Sequence, residues 1–346
     1  MKVAVIFGGK STENYVSRLS ATSVINNLDK NKYEVVMIGI TTEGKWLHYT
    51  GEVCDIATDS WAQYVAPING IERLIKDDIE VVFPVLHGPN GEDGTVQGLL
   101  EVLDKPYVGC GVLASSASMD KAYTKIICKD EGIPQCAYCI FQRHEVERDI
   151  DACVSEIESK LGYPNFVKPA NAGSSVGVSK AKDRESLYTA LKTAIKFDIR
   201  VVVEEFVNGR EIECAVLGNL EPEVAVPGEV IAANEFYDYE AKYFNDNSVT
   251  EVAKITEEQR AEVTDYAKRV FKCLDCRGLS RIDFFLDRDT GKFIFNELNT
   301  LPGFTNISMY AKLWAESGIP YDKLLDKLIN LAFENYNDHI RDYVVK

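Results

Sequence analysis

The stretch Arg281-Ile282-Asp283-Phe284-Phe285-Leu286, a turn at Asp289-Thr290-Gly291, and then Phe293-Ile294-Phe295-Asn296-Glu297-Leu298-Asn299 carries the most information in the chain. Two apolar-rich runs joined by a short Asp/Gly-containing turn predict a β-hairpin. Folding it about Thr290 sets Asp283 opposite Glu297 and Arg281 opposite Asn299. The two-residue period of a strand puts all four on one face. Opposed residues lie about 5 Å apart at Cβ, where like charges repel. Two carboxylates and an amide oxygen gathered in this way need a cation between them. Hard oxygen donors suit Mg2+, which takes one or two carboxylates together with substrate phosphates. A solvated acidic surface is the plainer alternative, but Phe284, Phe285 and Phe295 argue for a buried hairpin.

The rest of the composition narrows the class. The chain has 346 residues, 46% of them hydrophobic and 27% charged, enough for two or three domains and too apolar for disorder. Its mean hydropathy is −0.14 and its pI about 4.8. Lys+Arg 38 against Asp+Glu 54 leaves a net charge of −16, which a nucleic-acid backbone or an anionic membrane surface would repel. No run approaches 18 apolar residues, so no membrane span is expected. Met1-Lys2-Val3-Ala4-Val5-Ile6-Phe7 reads as a first strand and not a secretion signal, and a cytoplasmic location follows. The nine cysteines include two CxxC pairs, Cys136/Cys139 and Cys273/Cys276, with residues 140–272 between them. Zinc would need them close around a short loop. Buried free thiols in a reducing compartment fit better.

The first hundred residues alternate strand and helix: strands at 3–7, 35–40 and 81–86, helices at 17–28 and 95–103. That rhythm predicts a parallel sheet whose strand ends, near Glu13 and His87, face a ligand. Further on come helices at 117–130, 150–161, 184–196 and 256–273, strands at 166–168 and 201–205, and closing helices at 310–317 and 321–336. The loop Gly173-Ser174-Ser175-Val176-Gly177 follows Lys168 by a few residues. Glycines admit a close backbone approach, and successive amides and hydroxyls cradle phosphate oxygens. With Lys121 and Lys168 as point charges, nucleotide binding becomes plausible. The aromatic and charged run at 234–248, containing Lys242 and Tyr243, has no period and reads as a lid.

Together these motifs resemble the D-alanine–D-alanine ligases of the ATP-grasp superfamily. The matching segments are Phe7-Gly8-Gly9-Lys10-Ser11-Thr12-Glu13, Leu86-His87-Gly88 with Gly91-Glu92-Asp93-Gly94-Thr95, and Ser118-Met119-Asp120-Lys121. They continue through Val167-Lys168-Pro169, the Gly/Ser loop, Phe236 to Tyr243, Arg281-Ile282-Asp283, and Asn296-Glu297-Leu298-Asn299-Thr300-Leu301-Pro302-Gly303. The resemblance implies an α/β and α+β ATP-grasp fold with three domains around one cleft and an N-terminal Rossmann-like parallel sheet. The expected units are 1–116, binding the first D-amino acid, 117–206, the central ATP-grasp domain, and 207–346, with the metal site and the lid.

Family roles then fall on matched positions. ATP would be held by Lys121, Lys168, Ser174, Ser175 and Lys242, with Glu204, Phe206 and Val207 as the adenine hinge and Glu211 on the ribose. Asp283, Glu297 and Asn299 would bind two Mg2+, or Mn2+, with Glu297 between them. Glu13 would pair with the first D-alanine's ammonium, Ser174 and Tyr243 would complete a triad with it, and His87 would lie close by. Arg281 and the Gly303 N–H would stabilise the oxyanion. Lys242 and Ser308 would meet the second substrate's carboxylate. Met309, in place of an Arg common in resistance ligases, favours D-alanine over D-serine as second substrate. The resemblance also implies D-alanyl-D-alanine synthesis for peptidoglycan, and a homodimer.

Overall fold

The computed structural model describes residues 1–76, 78–173, 176–231 and 249–340. Three sheets arise in chain order. The first draws on β1 (Lys2–Gly8), α1 (Asn14–Asn27), β2 (Glu34–Ile40), β3 (Trp46–Tyr49), β4 (Val65–Asn69), α2 (Gly70–Leu74), β5 (Val81–Pro84), α3 (Thr95–Val102) and α4 (Val112–Met119). Its strand order is β4-β3-β2-β1-β5, with β1 parallel to both β2 and β5. Val3 to Phe7 are wholly buried because β1 is central and covered on both faces. The expected parallel rhythm holds for these three strands. The antiparallel strands β3 and β4, with β4 at the edge, are additions, since Trp46-Leu47-His48-Tyr49 is too short and mixed to announce itself.

Helix α1 starts three residues before the position that apolar spacing indicates. Its first turns bury serines: the Ser17 hydroxyl accepts from the Gly8 N–H at 2.8 Å and donates to the Val85 carbonyl. A helix face that satisfies strand-end backbone groups carries hydroxyls, and hydrophobic periodicity is blind to it. The earlier start leaves Glu13 at the N-cap, over the carboxyl ends of β1 and β5.

The second sheet uses α5 (Lys121–Asp130), β6 (Tyr138–Gln142), α6 (Arg143–Arg148), α7 (Ile150–Lys160), β7 (Asn165–Pro169), β8 (Ser179–Ala181), α8 (Arg184–Ala194) and β9 (Arg200–Glu205). Its order is β6-β9-β7-β8, antiparallel throughout. Val167, Val201 and Val203 face α7 and α8 in one core, whereas Val202 packs with Ala122 and Ala170 on the opposite face. Strand alternation therefore sends Lys168 and Glu204 to that second face. The helix expected over 117–130 is broken at Asp120, whose extended backbone ends α4 and whose carboxylate accepts from the Ala122 and Tyr123 N–H groups to start α5. Lys121 thereby opens a new helix.

The third sheet comprises β10 (Gly209–Gly218), β11 (Glu223–Val224), β12 (Gly228–Ile231), β13 (Val249–Val252), α9 (Glu257–Cys273), β14 (Gly278–Asp287), β15 (Phe293–Asn299), α10 (Met309–Glu316) and α11 (Tyr321–Asp338). Strands run β13-β12-β10-β14-β15, with β11 beside β10. Thr256 and Gln259 form a capping box for α9, which lays Val263, Ala267, Val270 and Phe271 on Ile212, Cys214, Ile282 and Phe284. On the other face of β10, Glu211 and Glu213 give way to Ala215 and Leu217, which are buried in a core with Tyr310 and Leu313 of α10. Leu324, Leu325 and Leu328 of α11 join Val3, Val5 and Phe83 in one core that spans the first and third sheets.

All nine cysteines are free thiols, and Cys139 and Cys276, one from each CxxC pair, lie in different cores. No helix among the described residues is long and apolar enough to cross a membrane.

Candidate active site

The hairpin forms with the expected pairing: Arg281 lies opposite Asn299 and Asp283 opposite Glu297. On the other side of β14, Glu213 of β10 faces Asp283. Glu213, Asp283 and Glu297 therefore make a row of three carboxylates across three strands, with like charges adjacent. Cations offset the repulsion. Arg281 grips Asp283 with two hydrogen bonds, Nε to Oδ1 at 2.8 Å and Nη2 to Oδ2 at 2.7 Å, and its Nε also lies 3.3 Å from Glu213 Oε2. Burial disfavours the guanidinium charge, but Asp283 and Glu213 hold it well above the ordinary arginine range. The Asn299 amide donates to Asp283 Oδ2 at 3.1 Å, and Lys121 Nζ lies 3.8 Å from Glu297.

Beyond Asp283 the register slips by one residue, a β-bulge that leaves Asn296 as the extra residue of β15. The bulge aims the Asn296 side-chain oxygen, Oδ1, at Lys168 Nζ, 3.5 Å away. Lys168 bonds Glu204 Oε2 at 2.5 Å, while the other oxygen of the same carboxylate lies 2.8 Å from Lys125 Nζ. Lys125 is only 1% exposed and its ammonium sits 5.3 Å from the Tyr138 ring centre. Burial alone would raise the Glu204 carboxyl, yet the two lysines win and hold it down to about 2. Burial likewise opposes the Lys168 charge, but Glu204 and Glu297 keep it above the ordinary lysine value.

That depressed carboxyl has a consequence for acid stability. A group ionised more readily in the folded than the unfolded chain contributes fully above its unfolded value of 4.5, and the contribution vanishes as pH falls through about 2. The shift corresponds to about 3 kcal/mol. Glu204→Gln is expected to flatten the loss of stability between pH 6 and 3, as read by chemical denaturation at each pH. An unchanged slope would show that Glu204 is not held by its lysines.

Around the expected hinge residues, the Phe166 and Phe206 rings lie 6.1 Å apart, and Lys180 Nζ sits 4.3 Å from the centre of Phe206. Val207 follows in the short link from β9 to β10, where the Gly209 N–H bonds its carbonyl at 3.1 Å. Glu211 lies on β10 between Phe285 of β14 and Val230 of β12. Of the expected nucleotide residues, Lys121 and Lys168 meet Glu297 and Asn296 of the hairpin, and Glu211 lies two positions from Glu213 on β10.

The first segment contributes Glu13, His87 and Glu92. Glu13 is 6% exposed, and its Oε2 presses against the backbone of Gly88 and Gly173 so closely that a Cβ there would lie 2.4 Å or 2.8 Å from it. Gly88 also has φ +75°, so a side chain is excluded twice over. His87 is buried, which pushes its imidazole down and keeps it neutral despite Glu13 nearby. Its Nδ1 lies 3.1 Å from the Leu301 carbonyl and its Nε2 3.0 Å from Ser20 Oγ. A carbonyl only accepts, so Nδ1 carries the proton and Nε2 accepts from the serine. Glu92 accepts the Gly88 N–H at 2.7 Å and the Leu301 N–H at 3.2 Å. Burial and then Glu13 push its carboxyl up to about 8, against the pull of those N–H groups and Arg281.

Gly303 lies in the loop after β15, where a Cβ would sit 3.5 Å from Ser308 Oγ. Ser308 is the N-cap of α10, and its hydroxyl lies 2.7 Å from the Thr305 hydroxyl. Met309 turns its sulfur toward Gly228 and is 8% exposed, so packing against β12 occupies most of its surface. Ser174, Ser175, Lys242 and Tyr243, with the lid expected at 234–248, lie outside the described residues.

Four participants were not read from sequence: Glu213, Lys125, Asn296 and Glu92. Lys125 follows Lys121 by one helical turn, a usable signal. Glu213 required the pairing of β10 with β14, and Asn296 required the bulge. Neither is written locally.

Comparison with known proteins bears on what this arrangement serves. Residues 2–110 match the profile described as D-ala D-ala ligase N-terminus, and residues 127–330 the one described as D-ala D-ala ligase C-terminus. The chain belongs to the D-Ala–D-Ala ligase family. A D-alanine–D-alanine ligase of Ruminiclostridium cellulolyticum is 54% identical over 367 aligned positions, covering 99% of this chain and 98% of that one. The crystal structure of VanG D-Ala:D-Ser ligase from Enterococcus faecalis superposes with TM-score 0.86 at 39% identity, covering 96% of this chain and 99% of the other. The Bacillus anthracis D-alanine–D-alanine ligase complexed with ATP gives TM-score 0.78 at 31% identity, covering 98% and 100%. This ligase-family chain therefore has the ATP-grasp fold, and it is an enzyme of the ligase class, as its motifs led us to expect.

Proposed function

We propose that the protein joins two D-alanines into D-alanyl-D-alanine, with cleavage of ATP and through an acyl phosphate, to supply peptidoglycan precursors. The observation that carries this reading is the row Asp283–Glu297 with Arg281 beside it, set against Lys121 and Lys168. A carboxylate does not react with an amine at neutral pH, so its oxygen must first become a leaving group. Phosphoryl transfer of that kind requires alignment and charge neutralisation more than covalent help. Lys121 and Lys168 would hold the β- and γ-phosphates, Glu204, Phe206 and Val207 the adenine, and Glu211 the ribose, with Ser174, Ser175 and Lys242 completing the phosphate cradle. The three lobes, 1–116, 117–206 and 207–346, would close on the nucleotide.

The donor set fits Mg2+: two carboxylates facing each other and one amide, all hard oxygens beside the Lys121 ammonium. Two Mg2+, or Mn2+ in their place, held by Asp283, Glu297 and Asn299 would neutralise and align the transferring group.

Glu13 would pair with the first D-alanine's ammonium, with Ser174, Tyr243 and His87 around it. The second D-alanine, its carboxylate on Ser308 and Lys242, would attack as a free amine. Arg281 and the Gly303 N–H would meet the charge that develops on the carbonyl oxygen. The lid would keep water from the acyl phosphate. A homodimer and a cytoplasmic location belong to the same reading and rest on family membership.

The second reading is D-alanine plus D-serine, favoured by the likeness to the VanG D-Ala:D-Ser ligase. An apolar site rejects an added hydroxyl only weakly, by about a hundredfold. Incubation with ATP, Mg2+ and mixed D-alanine and D-serine, with products weighed by mass spectrometry, is expected to yield chiefly D-alanyl-D-alanine. Predominance of the serine product would overturn the choice, and phosphate release without D-alanine would overturn the reaction.

A further inference from the structure

The loop that carries Gly303 is pinned from the first segment at both ends. At Leu301, both polar backbone atoms are engaged: the N–H donates to Glu92 Oε1 at 3.2 Å and the carbonyl accepts from His87 Nδ1 at 3.1 Å. At Phe304, the N–H points to Ser20 Oγ at 3.4 Å, and the carbonyl accepts from the Tyr321 hydroxyl at 2.7 Å. Ser20 is wholly buried on α1 and also donates to His87 Nε2, so the two anchors form one connected unit. Farther along, the Asn306 N–H bonds Ser23 Oγ of the same helix at 3.1 Å. Glu92 is itself fixed by the Gly88 N–H at 2.7 Å. Two converging N–H donors, from Gly88 and Leu301, call for a group with two oxygens, and the Glu92 carboxyl presents one to each.

We propose that Glu92, His87 and Ser20 are positioning residues for the Gly303 N–H, locking the peptides on either side of it so that this donor is aimed before charge develops at the acyl centre. The role of the Gly303 amide rests on the ligase reading; the locking rests on the hydrogen bonds just given. Helix α1 then couples two ends of the site, since Glu13 at its start faces the first substrate and Ser20, two turns on, holds the oxyanion loop. An oxyanion donor is effective only when preorganised, and a displacement of about 1 Å costs on the order of a hundredfold in rate.

The test uses the full chain with Glu92→Ala, Glu92→Gln and Ser20→Ala, measuring kcat, KM for ATP and for D-alanine, and hydrogen exchange at the Leu301 and Phe304 amides. Glu92→Ala is expected to lower kcat by about 10- to 100-fold, leave KM for ATP within about twofold, and speed exchange at Leu301. Glu92→Gln keeps one acceptor oxygen and is expected to recover part of kcat; Ser20→Ala is expected to speed exchange at Phe304 and lower kcat less. An unchanged kcat in Glu92→Ala, or a loss confined to KM for D-alanine, would overturn the proposal. Should Glu92→Ala fail to fold, the near-isosteric Glu92→Gln and Ser20→Ala decide by the same readings. If the parent protein forms no dipeptide, the ligase reading falls by that result, while exchange at Leu301 and Phe304 still decides the locking.

Discussion

Asp283→Asn is expected to abolish measurable turnover, with phosphate release in the presence of ATP, Mg2+ and D-alanine falling on the order of a thousandfold, about 4 kcal/mol in barrier. Asparagine fills the same space and retains one acceptor oxygen. What it loses is the charge that would draw the metal and the bidentate grip on Arg281. The fold is expected to survive because Glu213 still faces the guanidinium, 3.3 Å from its Nε. Removal of one charge also eases repulsion along the Glu213–Asp283–Glu297 row, offsetting part of the lost ion pair. Activity and stability should therefore separate: a severe kinetic loss beside a small change in the denaturation midpoint. Turnover within tenfold of the parent would show that Asp283 holds no metal, and with it the hairpin reading would fail.

The hairpin was legible because its information is local. Two runs, a turn and a two-residue period suffice to pair Asp283 with Glu297, and a sequence writes all of that within nineteen consecutive positions, 281 to 299. What stayed hidden is non-local or polar. Glu213 joins the row only because β10 pairs with β14, a partnership between segments far apart in the chain. The break at Asp120 was missed because an apolar pattern runs through it, whereas the deciding event is a carboxylate capping Ala122 and Tyr123. Glu92 stands in a matched segment without a role of its own, since nothing in its spacing tells that its two oxygens reach Gly88 and Leu301. Resemblance filled part of this gap. It assigned roles to Glu13, Lys168 and Gly303, but gave none to Glu213, Lys125, Asn296 or Glu92.

Lys168 and Lys125 share one carboxylate, and this allows a charge that serves a ligand to be told from one that serves the fold. Each ammonium takes one oxygen of Glu204, but only Lys168 also reaches Asn296 at the bulge and feels Glu297. Lys125 is enclosed, with Tyr138 and Cys136 near its ammonium. Either lysine changed to methionine keeps the stem's packing and leaves Glu204 with one partner in place of two, so both variants should lose stability by a similar amount, about 2 to 4 kcal/mol. Catalysis should divide them. Lys168→Met removes a point charge set toward the phosphates, and kcat/KM for ATP is expected to fall by about 100- to 1000-fold. Lys125→Met should lower the same quantity by no more than about tenfold, through Glu204 alone. The check is a pair of ATP titrations at saturating D-alanine, each beside a denaturation curve. Equal losses of kcat/KM would mean that both lysines act only by fixing Glu204, and the phosphate would have to be met by other cations; a larger loss in Lys125→Met would reverse the assignment of the two.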